Sequence, residues 1–199
     1  MIKIGLTGSI GMGKSTVAMF FAEHGAAVWN ADDAVHRMYA KDGIAVPLIA
    51  AAFPSAVVDG VVDRMKLAEL VLGVPANLRR LEDIVHPLVG QDRAACLAKA
   101  EEVGADLLVL DIPLLFEGGG DSSVDVTVVV SAPEAVQRAR VLARPGLSEE
   151  KLQAILKTQL PDAEKRARAD YIIDTNLSLE ETRQQVTDLV SKLREGNVH

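Results

Sequence analysis

The stretch Gly8-Ser9-Ile10-Gly11-Met12-Gly13-Lys14-Ser15 constrains this chain more than any other. It satisfies the pattern G-x-x-x-x-G-K-[ST] at every position, and its neighbours supply the context that pattern needs. Ile2-Lys3-Ile4-Gly5-Leu6-Thr7 before it reads as a short buried strand. Residues 16–24 after it read as a helix, with Val17, Phe20 and Phe21 on one side. A strand, a glycine loop and a helix start build an anion site from backbone alone, because N–H groups converge there and the helix N-terminus adds positive potential. Gly8, Gly11 and Gly13 let the backbone curl around phosphates with no Cβ in the way. Met12 and Thr16 belong to the same nucleotide-binding stretch. Lys14 is expected as a mobile surface cation for the β- and γ-phosphates, and the Ser15 hydroxyl as a ligand of Mg²⁺. A plain Gly/Ser turn is the alternative, and the complete pattern in its context disfavours it.

With 199 residues the chain suffices for one large domain, or a core with a small insertion. Half of it is apolar, so a sizeable core can form. A net charge of −7 speaks against a nucleic-acid binder that works by phosphate neutralisation. The single Cys96 excludes an intrachain disulfide and a multi-cysteine metal site, and the four His show no zinc-ligand spacing. Cys96 is expected to be inert at a helix interface. No apolar run reaches membrane length, and the start lacks the features of a signal peptide. The expectation is a cytoplasmic protein with no membrane or nucleic-acid partner and no obligate protein partner, a monomer or a weak oligomer.

Strand and helix patterns alternate, which predicts an α/β fold with a parallel sheet covered by helices on both faces. Residues 26–29 read as a second strand, with Asn30-Ala31-Asp32-Asp33 at its carboxyl end. Residues 33–99 read as largely helical, too long for one crossover, and are expected to fold over the sheet as a helical subdomain. Within them Asp63 caps one helix and Pro75 opens another, which His86-Pro87 should break. Residues 107–111 and 124–130 read as buried strands, and 171–174 as the last strand. A helix over 133–143 stops at Pro145-Gly146; Ser148 caps the next, and Ser178 with Glu181 forms a capping box for the last. Residues 196–199 are expected to fray.

In such sheets ligands bind beyond the carboxyl ends of the strands. The phosphate loop, Asp32, Asp111 and Asn176 all occupy such ends. Asp32 or Asp33 could deprotonate an acceptor hydroxyl, or both could merely begin a helix. Asp111 ends an apolar strand, where an acid can hold Mg²⁺ through water. Arg140 and Arg144 share a helix face beside a hinge, which suits a lid over 138–168. By pattern alone a solvated basic face with Arg138 is the plainer reading. His86 could be structural or touch a phosphate. Asp111-Ile112-Pro113-Leu114 lacks the Asp-x-x-Gly switch, and no Asn-Lys-x-Asp guanine-reading motif is present. Both absences speak against a nucleotide-dependent switch protein.

Taken together, the segments resemble the dephospho-coenzyme A kinase family of phosphate-loop kinases. The resemblance rests on residues 6–16, Asn30-Ala31-Asp32, Gly60-Val61-Val62-Asp63-Arg64 and the segment 81–89 containing His86-Pro87. It continues through Asp111-Ile112-Pro113-Leu114-Leu115-Phe116-Glu117, Gln159 and Ala169-Asp170-Tyr171-Ile172-Ile173-Asp174. It implies a nucleotide-binding core, a helical domain for the coenzyme A precursor and a lid. It implies transfer of phosphate from MgATP to the ribose 3′-hydroxyl of dephospho-coenzyme A, the last step of coenzyme A synthesis. By resemblance the general base matches Asp32, the lid arginines match Arg140 and Arg144, and Asn176 lies near the adenine. Arg64 and His86-Pro87 fall on the substrate side. The chain departs from the family pattern at Asn30, where Asp is usual, at Pro145 after Arg144, and at Thr175 before Asn176.

Overall fold

The computed structural model describes residues 1–196 of the chain, so the last three residues of the expected frayed end lie outside the described residues. In chain order the elements are β1 (Ile2–Thr7), α1 (Lys14–Glu23), β2 (Ala27–Asn30), α2 (Ala31–Tyr39) and α3 (Val46–Ala52). There follow β3 (Val57–Val58), β4 (Val61–Val62), α4 (Arg64–Val71), α5 (Pro75–Glu102) and β5 (Leu107–Asp111). The chain continues with β6 (Val126–Ser131), α6 (Glu134–Leu142), α7 (Glu149–Leu156), α8 (Asp162–Arg168), β7 (Tyr171–Asp174) and α9 (Leu179–Arg194).

Five strands form one sheet in the order β2-β5-β1-β6-β7. β1 pairs in parallel with β5, Leu6 opposite Asp111, and with β6, Thr7 opposite Val129. β6 pairs in parallel with β7, Ser131 opposite Asp174. These carboxyl ends therefore emerge along one edge, where the phosphate loop also begins. β5 and β6 are buried along their whole length, as strands covered on both faces must be. On one face α1 packs against α9. Phe20, Phe21, Val186 and Leu189 from those helices fill the core with Ile4, Leu6 and Val128.

The chain divides into two compact units, Met1–Trp29 with Ala100–His199, and Asn30–Lys99. The second contains α2, α3, α4 and most of α5, together with a hairpin. The sequence reading did not separate that hairpin from the helices. Its signal is Asp59-Gly60, both at positive φ, the geometry that joins two strands through a tight two-residue turn.

Pro87 corrects the sequence reading, because it lies inside an unbroken α5 of 28 residues. A proline here removes one hydrogen bond to the carbonyl four residues back, that of Asp83. Both Pro87 and Asp83 are exposed, so water can serve the freed carbonyl and the helix survives. Pro87→Ala restores the bond and should raise the thermal midpoint, with a gain of roughly 1–3 kcal/mol for an exposed helical site. A lower midpoint in differential scanning fluorimetry would show that the proline is needed for packing.

In the first unit, Lys165 on α8 is fully buried. Its ammonium lies 2.9 Å from the Glu117 carboxylate and donates to the Pro113 carbonyl at 3.3 Å. The Leu160 N–H also donates to Glu117, at 2.7 Å, and the Thr7 hydroxyl to Pro113, at 3.0 Å. The loop after β5 is thus pinned at Pro113 and at Glu117. Burial pushes the Glu117 carboxyl up, but the Leu160 N–H and the Lys165 ammonium outweigh it and hold the group below the usual carboxylate range. A carboxyl lowered on folding stabilises the protein above its unfolded pKa, about 4.3, and the stabilisation is lost as pH falls through the folded value. Glu117→Gln leaves the buried ammonium without its counter-charge and should cost about 3 kcal/mol at neutral pH. Urea titrations of both proteins should converge as the pH drops below 4.3 or so; a gap that persists at low pH would overturn this account.

Candidate active site

The phosphate loop joins β1 to α1 and is held in shape from outside. Gly11 has φ +79°, and a Cβ there would stand 2.5 Å from a methyl of Val141 and 3.0 Å from the Gln137 carbonyl. Only glycine tolerates both the backbone conformation and the approach of α6. At Gly8 a Cβ would lie 2.6 Å from the Val130 carbonyl of β6. Ile10 is braced on both sides: its N–H donates to Gln159 at 3.2 Å, and its carbonyl accepts from Gln137 at 2.8 Å. Met12 is buried, its sulfur accepts from the Ala132 N–H at 3.1 Å, and its carbonyl accepts from the Thr175 hydroxyl at 2.6 Å. Gly13, at φ +90°, precedes the first residue of α1, whose first turn carries no acidic side chain to compete with an anion.

Lys14 opens α1 and forms an ion pair with Asp111 at the end of β5. The sequence reading expected a surface cation; the side chain is only 14% exposed, and Asp111 is buried. Ser15 is exposed beside it and Thr16 half-buried. Arg140 points to the end of β7, where its two terminal nitrogens donate to the Thr175 hydroxyl at 2.9 Å and carbonyl at 2.6 Å. Asn176, the next residue, is exposed, and its N–H donates to Asp174 at 2.8 Å. The basic helix face predicted from spacing is therefore split three ways. Arg140 is anchored inward, and Arg138 pairs with Glu149 at 2.7 Å. Arg144 is exposed beyond α6, which ends at Leu142 rather than reaching the proline.

In the second unit Asn30 caps α2, accepting from the Asp33 N–H at 2.9 Å. Asp32 and Asp33 are both exposed in the first turn, where the helix dipole favours carboxylates. Successive helical residues diverge by about 100°, so the two acids face different ways. Arg64 begins α4 and stands 5.7 Å from the centre of the Tyr39 ring. Burial pushes the Tyr39 hydroxyl up, partly offset by Arg64. His86 and Pro87 are exposed midway along α5. Arg37 and Asp92, 2.9 Å apart, tie α2 to α5.

Reading the residues for chemistry missed Gln137 and Thr175 as supports of the loop. A buried glutamine inside an amphipathic helix has no motif, and Thr175 stood out only as a departure from the family pattern, not as a support. Behind the loop opens a cavity of about 550 Å³ touching Ser9, Met12, Gln137 and Gln159. Neither Lys14 nor Arg140 lines it, so it adjoins the cradle and is not the cradle itself.

The family model described as dephospho-CoA kinase matches residues 2–181. A dephospho-CoA kinase of Mesorhizobium japonicum is 59% identical over 194 residues, 98% of each chain. A solved structure from Thermus thermophilus superposes with a TM-score of 0.83 at 37% identity, covering 96% of this chain and 97% of that one. A dephospho-CoA kinase from Campylobacter jejuni shares the fold, with a TM-score of 0.72 at 24% identity over 98% of each chain. A phosphate loop alone is common to many kinases, but here the match runs through both units and nearly the full length, and the chain belongs to the dephospho-CoA kinase family.

Proposed function

We propose that this chain transfers the γ-phosphoryl group of ATP to the ribose 3′-hydroxyl of dephospho-coenzyme A, yielding coenzyme A and ADP in the cytoplasm. The observation that carries the reading is the pairing of a braced phosphate loop with two anchored cations, Lys14 and Arg140, in one unit of a family member. In the step itself the 3′-oxygen bonds to the γ-phosphorus, the bond to the bridging oxygen breaks, and the hydroxyl proton passes to Asp32. Backbone N–H groups of the loop with Gly8, Gly11, Met12, Gly13, Lys14, Ser15 and Thr16 hold the donor phosphates. Lys14 and Arg140, with Arg144 from the turn after α6, oppose the charge that spreads over the transferring group. Asn176 lies on the adenine side. Arg64, His86 and Pro87 belong to the acceptor side in the second unit.

Magnesium fits the donor set. This ion keeps most of its waters and takes only one or two protein oxygens beside those of the phosphates. The Ser15 hydroxyl and the Asp111 carboxylate, the latter through water, would hold it. No cluster of three or more acidic, His or Cys side chains is needed, and none occurs among the described residues. Bound with ATP, the ion would neutralise charge on the β- and γ-phosphates.

ADP release should require dephospho-coenzyme A and Mg²⁺, with coenzyme A as product; faster turnover with AMP or a free sugar would sink the assignment. Asp32→Asn keeps shape and hydrogen bonding but loses the proton acceptor, so kcat should fall by roughly 10²–10⁴ with ATP affinity unchanged. Asp33→Asn should do far less. If Asp33→Asn is the crippled variant, or both stay active, Asp32 is not the base. Lys14→Ala should lower kcat by at least about 10²; a near-normal kcat would place the phosphates elsewhere.

A further inference from the structure

Thr175 carries no assigned role, yet four polar contacts meet on it. It follows the last residue of β7 and is 6% exposed. Its N–H donates to the Ser131 carbonyl at the end of β6, at 2.9 Å. Its hydroxyl donates to the Met12 carbonyl of the phosphate loop at 2.6 Å, with the Ser131 carbonyl a longer alternative at 3.4 Å. The hydroxyl and the carbonyl of Thr175 accept from the two terminal nitrogens of Arg140, at 2.9 and 2.6 Å. Its methyl also lies 3.3 Å from where a Cβ on Gly13 would stand, so it packs against the loop from a second side.

The direction of these bonds is forced. A guanidinium only donates and a carbonyl only accepts, so the hydroxyl must take from Arg140 and give to a carbonyl, of which that of Met12 is the nearer. A flexible arginine is thereby fixed at two points of its planar fork, and the fixing group is itself bonded to the loop. Both partners of Arg140 are neutral, so its positive charge is oriented without being cancelled by them.

We infer that Thr175 is a positioning residue for phosphoryl transfer, holding the Arg140 guanidinium in register with the phosphate loop. This rests on the reading of Arg140 as a cation acting on the transferring group. A cation already in place when charge develops needs no reorganisation at that moment, which is where such groups are most effective.

The test is steady-state kinetics with MgATP and dephospho-coenzyme A on Thr175→Val, Thr175→Ser, Arg140→Ala and the Arg140→Ala/Thr175→Val double variant. Valine keeps the branched shape against Gly13 and removes the hydroxyl; serine keeps the hydroxyl. Thr175→Val should lower kcat roughly tenfold, the factor of one charge-assisted hydrogen bond, and leave the KM for dephospho-coenzyme A unchanged. Thr175→Ser should recover most of the rate. In the Arg140→Ala background the valine substitution should cost little more, because the group it positions is gone. If it costs the same tenfold there, or if Thr175→Val keeps the wild-type kcat, the inference is overturned while Arg140 keeps its role. If Arg140→Ala itself turns over normally, the reading of Arg140 fails, and the inference with it. Should Thr175→Val not fold, Thr175→Cys, a poor donor of similar size, replaces it in the same cycle: a tenfold loss that vanishes in the Arg140→Ala background supports the inference, and an unchanged kcat overturns it.

Discussion

A loop that curls at Gly8, Gly11 and Gly13 to bring its N–H groups close to phosphate relies on its surroundings to hold its shape. Everything else in the first unit answers to that constraint. Gln137 and Gln159 grip the two polar groups of Ile10, the sulfur of Met12 accepts from the Ala132 N–H, and the Thr175 hydroxyl donates to the Met12 carbonyl. The wall of α6 then closes on Gly11 and the end of β6 on Gly8, so closely that a methyl would collide at either place. The loop is rigid because its surroundings are, and the anion site it forms is pre-organised at the cost of admitting no other residue.

The two cations proposed to act on the transferring phosphoryl group are anchored in opposite ways. Lys14 sits on a buried carboxylate, so its position is electrostatically secured but part of its charge is answered by Asp111. Arg140 sits on a hydroxyl and a carbonyl and keeps its charge. A lysine is a compact point charge that can shift between an acid and an incoming phosphate, whereas the guanidinium fork is bound by shape.

Local chemistry made much of this fold legible in the sequence. The phosphate loop, the caps at Asp63, Ser148 and Ser178, the helix start at Pro75 and the strand over 107–111 each depend on a few neighbouring residues. Where the reading failed, the deciding fact lay at a distance or in solvent access. Pro87 does not break α5, because water can serve the carbonyl it frees. Lys14 is not a surface cation, because Asp111 arrives from 97 residues away. Asn30, notable beforehand only as a departure from a family pattern, proves to be the cap that starts α2. Gln137 had no signature at all, and Thr175 stood out only as a departure before Asn176, since their work is done on a loop that precedes them by more than a hundred residues.

That last separation bears on how the protein comes into being. β1 is the middle strand of the sheet, and both its neighbours, β5 and β6, are encoded over a hundred residues later. The supports of the phosphate loop come later still, at Gln137, Gln159 and Thr175. During synthesis from the N-terminus, the loop leaves the ribosome before any strand that can pair with β1 or any side chain that can brace it. Long-range pairing of this kind closes large loops of chain before it rewards them, which makes it slow. The nascent chain therefore carries its nucleotide-binding motif in the open until nearly the last strand is made, and a segment translated early waits on one translated late for its working shape.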